Sequence, residues 1–269
     1  MKLVLSSLLL AVASAVPLQL CTVDGMFLSE YEKSLYADVR RNNKNEHFDY
    51  DPTTKLLKAT SNGQCVCAES GKLVTEKCDP NDASQHWEVD LNHVFAPGAY
   101  SCLQTSTPGV PVGLAKCVWE TSITAGQFLT DCSTGVPEYV TITSVSKNRL
   151  LEFQTGLYAR PSEDIANQVF AWDKANKMLK SASNGQCLDA FKDANGKVQV
   201  HTYACDVKNS NQKWNFNPST KTLEHATHAG QCLDVDHSDF HVQMWACVPG
   251  NTNQMWTITS YNAEARRKW

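Results

Sequence analysis

Residues 28–65 read LSEYEKSLYADVRRNNKNEHFDYDPTTKLLKATSNGQC, and residues 150–187 read LLEFQTGLYARPSEDIANQVFAWDKANKMLKSASNGQC. Aligned without a gap, the two windows share 16 of 38 residues, among them Leu35-Tyr36-Ala37 with Leu157-Tyr158-Ala159 and the Ser-Asn-Gly-Gln-Cys run that ends both. Self-similarity on this scale marks an internal duplication, and it decides the architecture before any local reading of helix or strand. The joint between the halves falls near Gly135, between the polar stretch 131–135 and the apolar run 139–142.

A shorter period runs inside each half: a polar residue, any residue, then a large apolar one. It occurs at Glu46-His47-Phe48, Gln85-His86-Trp87, Gln127-Phe128-Leu129, Gln168-Val169-Phe170, Gln212-Lys213-Trp214 and Gln254-Met255-Trp256, at intervals of 39, 42, 41, 44 and 42 residues. Six units of this length fill most of the chain, three per half. Short β-like runs such as VQVHTY at 198, VQMWAC at 242 and YVTIT at 139 alternate with Asn-Gly, Pro and Gly turns. No apolar stripe of helical period persists; even the stretch 30–40 aligns with a β-like window in the other half. The chain therefore reads as all-β, with two tandem domains of three units each, closed so that their short strands leave no exposed edges.

The 269 residues are 42% hydrophobic and 19% charged, ordinary for a globular protein that buries a core, which excludes disorder and collagen-like structure. Residues 1–15 read as a secretory leader: Lys2, an apolar run at 3–12, and the small-residue site Ala13-Ser14-Ala15. The expected divisions are thus 1–15 for the leader, 16–135 for the first unit and 136–269 for the second, in a secreted, extracellular protein. Past the leader no apolar stretch is long enough to span a bilayer. The formal charge of −4 argues against nucleic acid or an anionic membrane surface as partner. Eleven cysteines behind a leader indicate a disulfide framework with one cysteine left over.

The residues GQCLD at 230, VQMWAC at 242 and NTNQMW at 251, with GQCLD at 185, VHTYAC at 200 and NSNQKW at 209, resemble the repeats of ricin-type (QxW) β-trefoil lectins. The resemblance spans residues 18–258, and the tandem layout is similar to that of the ricin B chain. It implies two β-trefoil domains and one disulfide within each full repeat: Cys65 with Cys78, Cys102 with Cys117, Cys187 with Cys205, and Cys232 with Cys247. Each closes a short loop worth roughly 3 kcal/mol in the chain-entropy description. Cys21 and Cys132 stand where the ends of the first trefoil meet and are expected to bridge. Cys67 is then unpaired, or competes with Cys65 for Cys78.

The resemblance further implies that binding repeats carry an Asp after Cys-Leu, an aromatic residue two before the second cysteine, and an Asn before the QxW glutamine. Those residue types suit a sugar, which offers one C–H face for stacking and a rim of hydroxyls for acceptors and donors. The last repeat supplies Asp234, Gln243, Trp245, Asn253 and the supporting Gln254. The one before it supplies Asp189, His201, Tyr203, Asn211 and Gln212, with a histidine where glutamine is usual, and a longer span from Asp189 to His201 that suggests a tighter loop over the last site. The remaining repeats look eroded. Cys67 and Glu76, and Gln104 and Ala115, replace the acid and aromatic in two of them; the opening repeats offer Glu30 with Tyr36 and Glu152 with Tyr158. Trp87, Trp214 and Trp256 are expected in the core.

Catalysis has no constellation here: neither a Gly-rich phosphate loop, nor HExxH, nor GxSxG occurs, and no cofactor is implied. His225, His228, His237 and His241 are read as loop residues rather than metal ligands, and Asp234, Asp236 and Asp239 do not make a glycosidase pair. The sequence thus points to a non-catalytic, metal-independent binder of glycans such as those ending in galactose or N-acetylgalactosamine. The competing class is a protein-binding scaffold or inhibitor on a worn trefoil. Oligomeric state is not encoded in any feature read here.

Overall fold

The computed structural model describes residues 14–262. The expected leader, through residue 13, and the end of the chain from 263 lie outside the described residues. The chain is all-β. One nine-stranded and one four-stranded sheet arise from residues 16–131, and an eight-stranded path with a four-stranded sheet from residues 139–260. Among the described residues no strand pairing joins the two groups.

Each repeat contributes a β-hairpin whose first strand alternates core-facing and outward-facing side chains. The six hairpins pair Phe27–Tyr31 with Ser34–Asp38, Cys65–Glu69 with Lys72–Glu76, Ser101–Gln104 with Gly113–Lys116, Arg149–Phe153 with Gly156–Arg160, Cys187–Lys192 with Val198–Tyr203, and Gln231–Val235 with Val242–Ala246. In every one an aliphatic residue near the start of the first strand is fully buried: Leu28, Val66, Leu103, Leu150, Leu188 and Leu233. Each half is closed by its own last strand. Thr130–Asp131 pairs with Leu20–Cys21, and Trp256–Ser260 runs along Tyr139–Ser144 with Ile258 opposite Ile142. The meeting ends pair strands that would otherwise stand as open edges.

Two separate apolar cores result, one around Leu28, Phe48, Trp87 and Leu103, the other around Leu150, Leu188, Trp214, Leu233 and Trp256. The QxW tryptophans are core residues. Their indole N–H groups donate to the carbonyls of Val66, Leu188 and Leu233 at 2.9, 3.0 and 2.9 Å, so burial leaves no orphan donor. A third cluster, with Ile123 and Phe128 from one half against Tyr139, Val169 and Tyr261 from the other, fills the seam between them.

The residue that opens each QxW motif acts as a clamp. The Gln254 side-chain oxygen accepts the Val248 N–H at 2.9 Å while its amide donates to the Ala246 carbonyl at 2.8 Å. Gln85, Gln127, Gln168 and Gln212 make the same pair of backbone bonds in their own repeats. Glu46, unable to donate, accepts two N–H groups, from Arg41 and Asn42. The clamp spans the loop that follows each hairpin and ties it to the strand behind.

Five disulfides join Cys21 to Cys132, Cys65 to Cys78, Cys102 to Cys117, Cys187 to Cys205 and Cys232 to Cys247. Cys67 is free and buried, with its sulfur 3.1 Å from Ser84 Oγ.

Replacing Gln254 by Ala strands the Val248 N–H and the Ala246 carbonyl, at a cost of roughly 1–3 kcal/mol for each group that stays dry. The expected outcome is a clear fall in Tm with no loss of β circular dichroism; a Tm unchanged from the parent refutes the clamp.

Candidate functional site

The residue that follows the buried aliphatic in each hairpin lies on the face turned away from the apolar core, and the six are Ser29, Cys67, Gln104, Leu151, Asp189 and Asp234, of which Cys67, Asp189 and Asp234 are themselves covered and only 2–4% exposed. Across the hairpin they meet Tyr36, Val74, Gly113, Tyr158, His201 and Gln243. Two pairs back, on the same face, lie Asp38, Glu76, Ala115, Arg160, Tyr203 and Trp245. Only the last two repeats place an acid directly after the buried aliphatic with an aromatic two pairs back on the partner strand; in the first repeat Tyr36 and Asp38 share that face, with Ser29 in the acid's place. Side chains at i and i+2, and those directly opposite on the partner strand, share a face of the sheet, so this grouping follows from the pairing alone.

The opening repeats correct the sequence expectation. Glu30 and Glu152 stand one residue past the outward position, and a one-residue step reverses the face. Both are buried, at 4% and 3% exposure, where they hold the hairpin turn. Glu152 accepts the Thr155 N–H at 2.9 Å and the Ser183 hydroxyl at 2.6 Å; Glu30 accepts the Lys33 N–H at 2.8 Å and the Ser61 hydroxyl. The turn residues need that support. Glu32 and Lys33 have φ of 49° and 65°, Gln154 and Thr155 of 50° and 70°, a left-handed pair that glycine or asparagine adopts more cheaply. The amides of Asn45 and Asn167 are likewise used up, on the carbonyls of Glu30 and Glu152.

In the last repeat Asp234 lies in a recess beside the half-exposed indole of Trp245. Gln243 donates to Asp234 Oδ1 at 3.4 Å. Burial pushes the Asp234 carboxyl above its usual range; hydrogen bonds from Gln254 and Gln243 pull the other way, the Asp236 carboxylate adds to the rise, and His237 opposes it. Asn253 donates its backbone N–H to Asn251 Oδ1 at 3.1 Å. Cys232, opposite Trp245, is bonded to Cys247, so the strand carrying the indole is held where it leaves the hairpin.

The preceding repeat has the same frame with different fittings. Asp189 Oδ2 accepts from Asn209 at 2.9 Å and Gln212 at 3.2 Å, while Oδ1 faces His201 Nε2 at 3.6 Å. His201 is sandwiched between Phe191, 4.6 Å away, and Tyr203, nearly parallel at 5.7 Å. Tyr203 is exposed. The three-residue difference in spacing does not tighten the last site's loop. Loops 193–197 and 236–241 are of similar length, and the extra residues lengthen the strands of the earlier hairpin.

Gln212 and Gln254, named with the two candidate sites, are fully buried; both amides donate to backbone carbonyls, and that of Gln212 also lies 3.2 Å from Asp189 Oδ2, a supporting arrangement. Asn209 was missed. The repeated Asn-x-Asn-Gln of 209–212 and 251–254 was the available signal, since the first Asn of each caps the short turn that presents the second. His225 is another buttress: its Nδ1 accepts the backbone N–H groups of Thr227 and His228, leaving Nε2–H to donate to the Asn211 carbonyl at 2.8 Å. Burial pulls its pKa down, in keeping with that neutral form. Among the described residues no group of three or more His, Cys, Asp or Glu side chains is placed to hold a metal ion. In the first half, Ser29, Tyr31, Tyr36, Asp38 and Arg41 border a cavity of about 290 Å3, with Asp38 and Arg41 paired to each other.

Residues 139–260 match the ricin-type beta-trefoil lectin domain family. The second half is a ricin-type β-trefoil lectin domain. No curated protein shows a match to the chain. Similar solved structures include a non-toxic homologue of type II RIPs from Momordica charantia in complex with α-methyl-D-galactoside, 16% identical with a TM-score of 0.43 over 91% of this chain and 97% of that one. The agglutinin from Abrus precatorius is 16% identical, with a TM-score of 0.43 over 94% and 99% of the two chains. The earthworm R-type lectin C-half in complex with GalNAc is 19% identical, with a TM-score of 0.37 over 46% and 99%. No helix among the described residues is long and apolar enough to cross a membrane.

A raised Asp234 pKa makes a signed prediction. The folded value lies above the unfolded one, so the buried charge opposes folding near neutral pH, and the penalty is relieved as pH falls through the raised value. The stability of the parent is expected to gain on that of Asp234→Asn, which carries no charge there, as pH is lowered from about 7.5 to about 4.5. Thermal melts of both across that window check it; parallel curves refute the shift.

Proposed function

We propose that the protein is a secreted, non-catalytic lectin of two trefoil units, 16–135 and 136–269, that binds terminal sugars such as galactose or N-acetylgalactosamine through the second unit. The observation that carries this reading is the coincidence on one hairpin face of an acid and an exposed aromatic, Asp234 with Trp245 and Asp189 with Tyr203. A half-exposed indole or phenol offers a flat apolar platform on which the C–H face of a sugar can stack. A carboxylate recessed beside it supplies the acceptor that vicinal hydroxyls need.

In this reading the sugar lies with its C–H face on Trp245 or Tyr203 and its hydroxyls toward Asp234 or Asp189. Gln243 or His201, and Asn253 or Asn211, complete the polar rim. Such a site is shallow, and an affinity of about millimolar, near −4 kcal/mol, is expected for one sugar. Two sites on one rigid domain raise the apparent strength toward branched or polymeric glycans. The first half, whose outward positions are Ser29, Cys67 and Gln104, offers no site of this composition.

A glycan array in calcium-free buffer is expected to show retention by terminal sugars. Trp245→Ala should lower affinity at the last site by at least about tenfold and leave Tm near the parent's, because the indole is half exposed. Retention of full affinity by a folded Trp245→Ala protein overturns the assignment of the last site. Silence of the parent across the array at high density overturns the lectin reading and favours a protein-binding scaffold.

A further inference from the structure

The seam between the two halves opens into a cleft of about 370 Å3. Trp119 and Glu120 of the first half form one wall, and the 152–155 turn, Asn167 and Gln186 of the second half form the other. The walls are tied together at this point: the Ala166 N–H donates to the Glu120 carbonyl at 2.9 Å.

Trp119 is 43% exposed, yet its ring is held. The imidazole of His93 packs against it at 4.4 Å between centroids, and Phe95 meets it edge-on at 5.5 Å. His93 is itself buried, with Nδ1 2.7 Å from the Leu91 carbonyl. Phe153, half exposed, projects at the start of the turn on the opposite wall. That turn is the one locked by the Glu152 carboxylate through the Thr155 N–H and the Ser183 hydroxyl. Two apolar surfaces from different halves are therefore fixed in place before any ligand arrives, which lowers the ordering cost of binding.

Most polar groups of the cleft are committed within the protein, the Gln186 oxygen among them, which accepts the Thr202 hydroxyl at 3.1 Å and leaves the Gln186 amide as a donor. Asn167 commits its amide to the Glu152 carbonyl at 2.9 Å and leaves Oδ1 shielded from solvent without a hydrogen-bond partner. Asn184 commits its amide to Thr202 Oγ1, and Ser183 its hydroxyl to Glu152. Glu120 adds a carboxylate, and no lysine or arginine lines the cleft. An anion is disfavoured by that charge balance. A ligand with a C–H face and several hydroxyl donors meets both requirements at once.

We infer that this interdomain cleft is a saccharide subsite separate from the hairpin faces, with Trp119 as the stacking platform and the exposed Glu120 carboxylate as hydroxyl acceptor. It uses neither Asp189 nor Asp234. It also gives the first half a part in binding that its own hairpins do not provide.

The test is carried out on the full chain bearing Asp189→Ala and Asp234→Ala, in which hairpin-face binding is removed. Galactose, N-acetylglucosamine, mannose and xylose are titrated separately while the indole N–H signals are followed by NMR. The expected result is a saturable shift of the Trp119 indole with at least one sugar; followed at the backbone N–H signals of residues 153–155 on the opposite wall, the affinity falls about tenfold or more in Trp119→Ala and is retained in Trp119→Phe, which keeps an aromatic face. No shift at Trp119 with any of the four overturns the subsite; if the parent chain still shifts Trp245 or Tyr203 signals, the hairpin-face reading survives that failure. A Trp119 shift with tetramethylammonium but with no sugar overturns the saccharide assignment, since aromatic walls and a carboxylate also suit an organic cation.

Discussion

Five times along this chain, one buried glutamine closes a loop by accepting one backbone N–H and donating to one backbone carbonyl. The constraint is severe because the loops it closes have no sheet partner for those groups, and a dry unpaired peptide group is costly. Glutamine has the needed donor and acceptor on one planar head, which is why it recurs at 85, 127, 168, 212 and 254. Glu46 shows the rule by its departure, with a loop that turns two N–H groups inward instead of one of each kind. The large apolar residue two positions on then enters the core in fixed register with the hairpin. In three repeats its indole N–H reaches a backbone carbonyl beside the outward position, at Val66, Leu188 and Leu233.

The candidate sites grow from that frame. A buried Leu188 or Leu233 turns the next side chain to the face away from the core, and pairing then sets His201 or Gln243 across from it and Tyr203 or Trp245 two residues back. The clamp glutamine stands behind the acid, and in the earlier repeat its amide reaches both the Ala204 carbonyl and Asp189. One residue thus couples loop closure to the orientation of a carboxylate. Where the outward residue is Cys67, Gln104, Ser29 or Leu151 the same scaffold persists without the acid, so the fold survives erosion of the site.

The opening repeats of both halves solved a different problem with their acids. A hairpin turn built from non-glycine residues at positive φ is strained, and Glu30 and Glu152 offset that strain by capping the turn N–H from the buried side. The seam adds a second level of organisation. Phe128 against Tyr139, Asn92 on the Ala182 carbonyl and Asn262 on the Val23 carbonyl join surfaces that are far apart in the chain.

The duplication, the period near 41 residues, the all-β class and the place of the QxW tryptophans in the core were legible in the sequence, because apolar spacing and repeated turns are local properties of the chain. The acid and aromatic of the last two repeats were legible too, since the motif fixes their distance from a cysteine. Other assignments were beyond a linear reading. Glu30 and Glu152 align with the pattern of an acid near the start of the hairpin, yet a single step in strand register puts them inside rather than outside, and only the pairing reveals which. Asn209, close to the Asn211 that the motif singles out, reaches Asp189 because the short turn it caps folds back over the hairpin. Trp119 carried no motif at all. The sequence by itself determined the repeated scaffold; the tertiary structure decided which faces look outward and what the two halves form between them, because side-chain direction depends on strand register and a seam depends on residues that no local pattern connects.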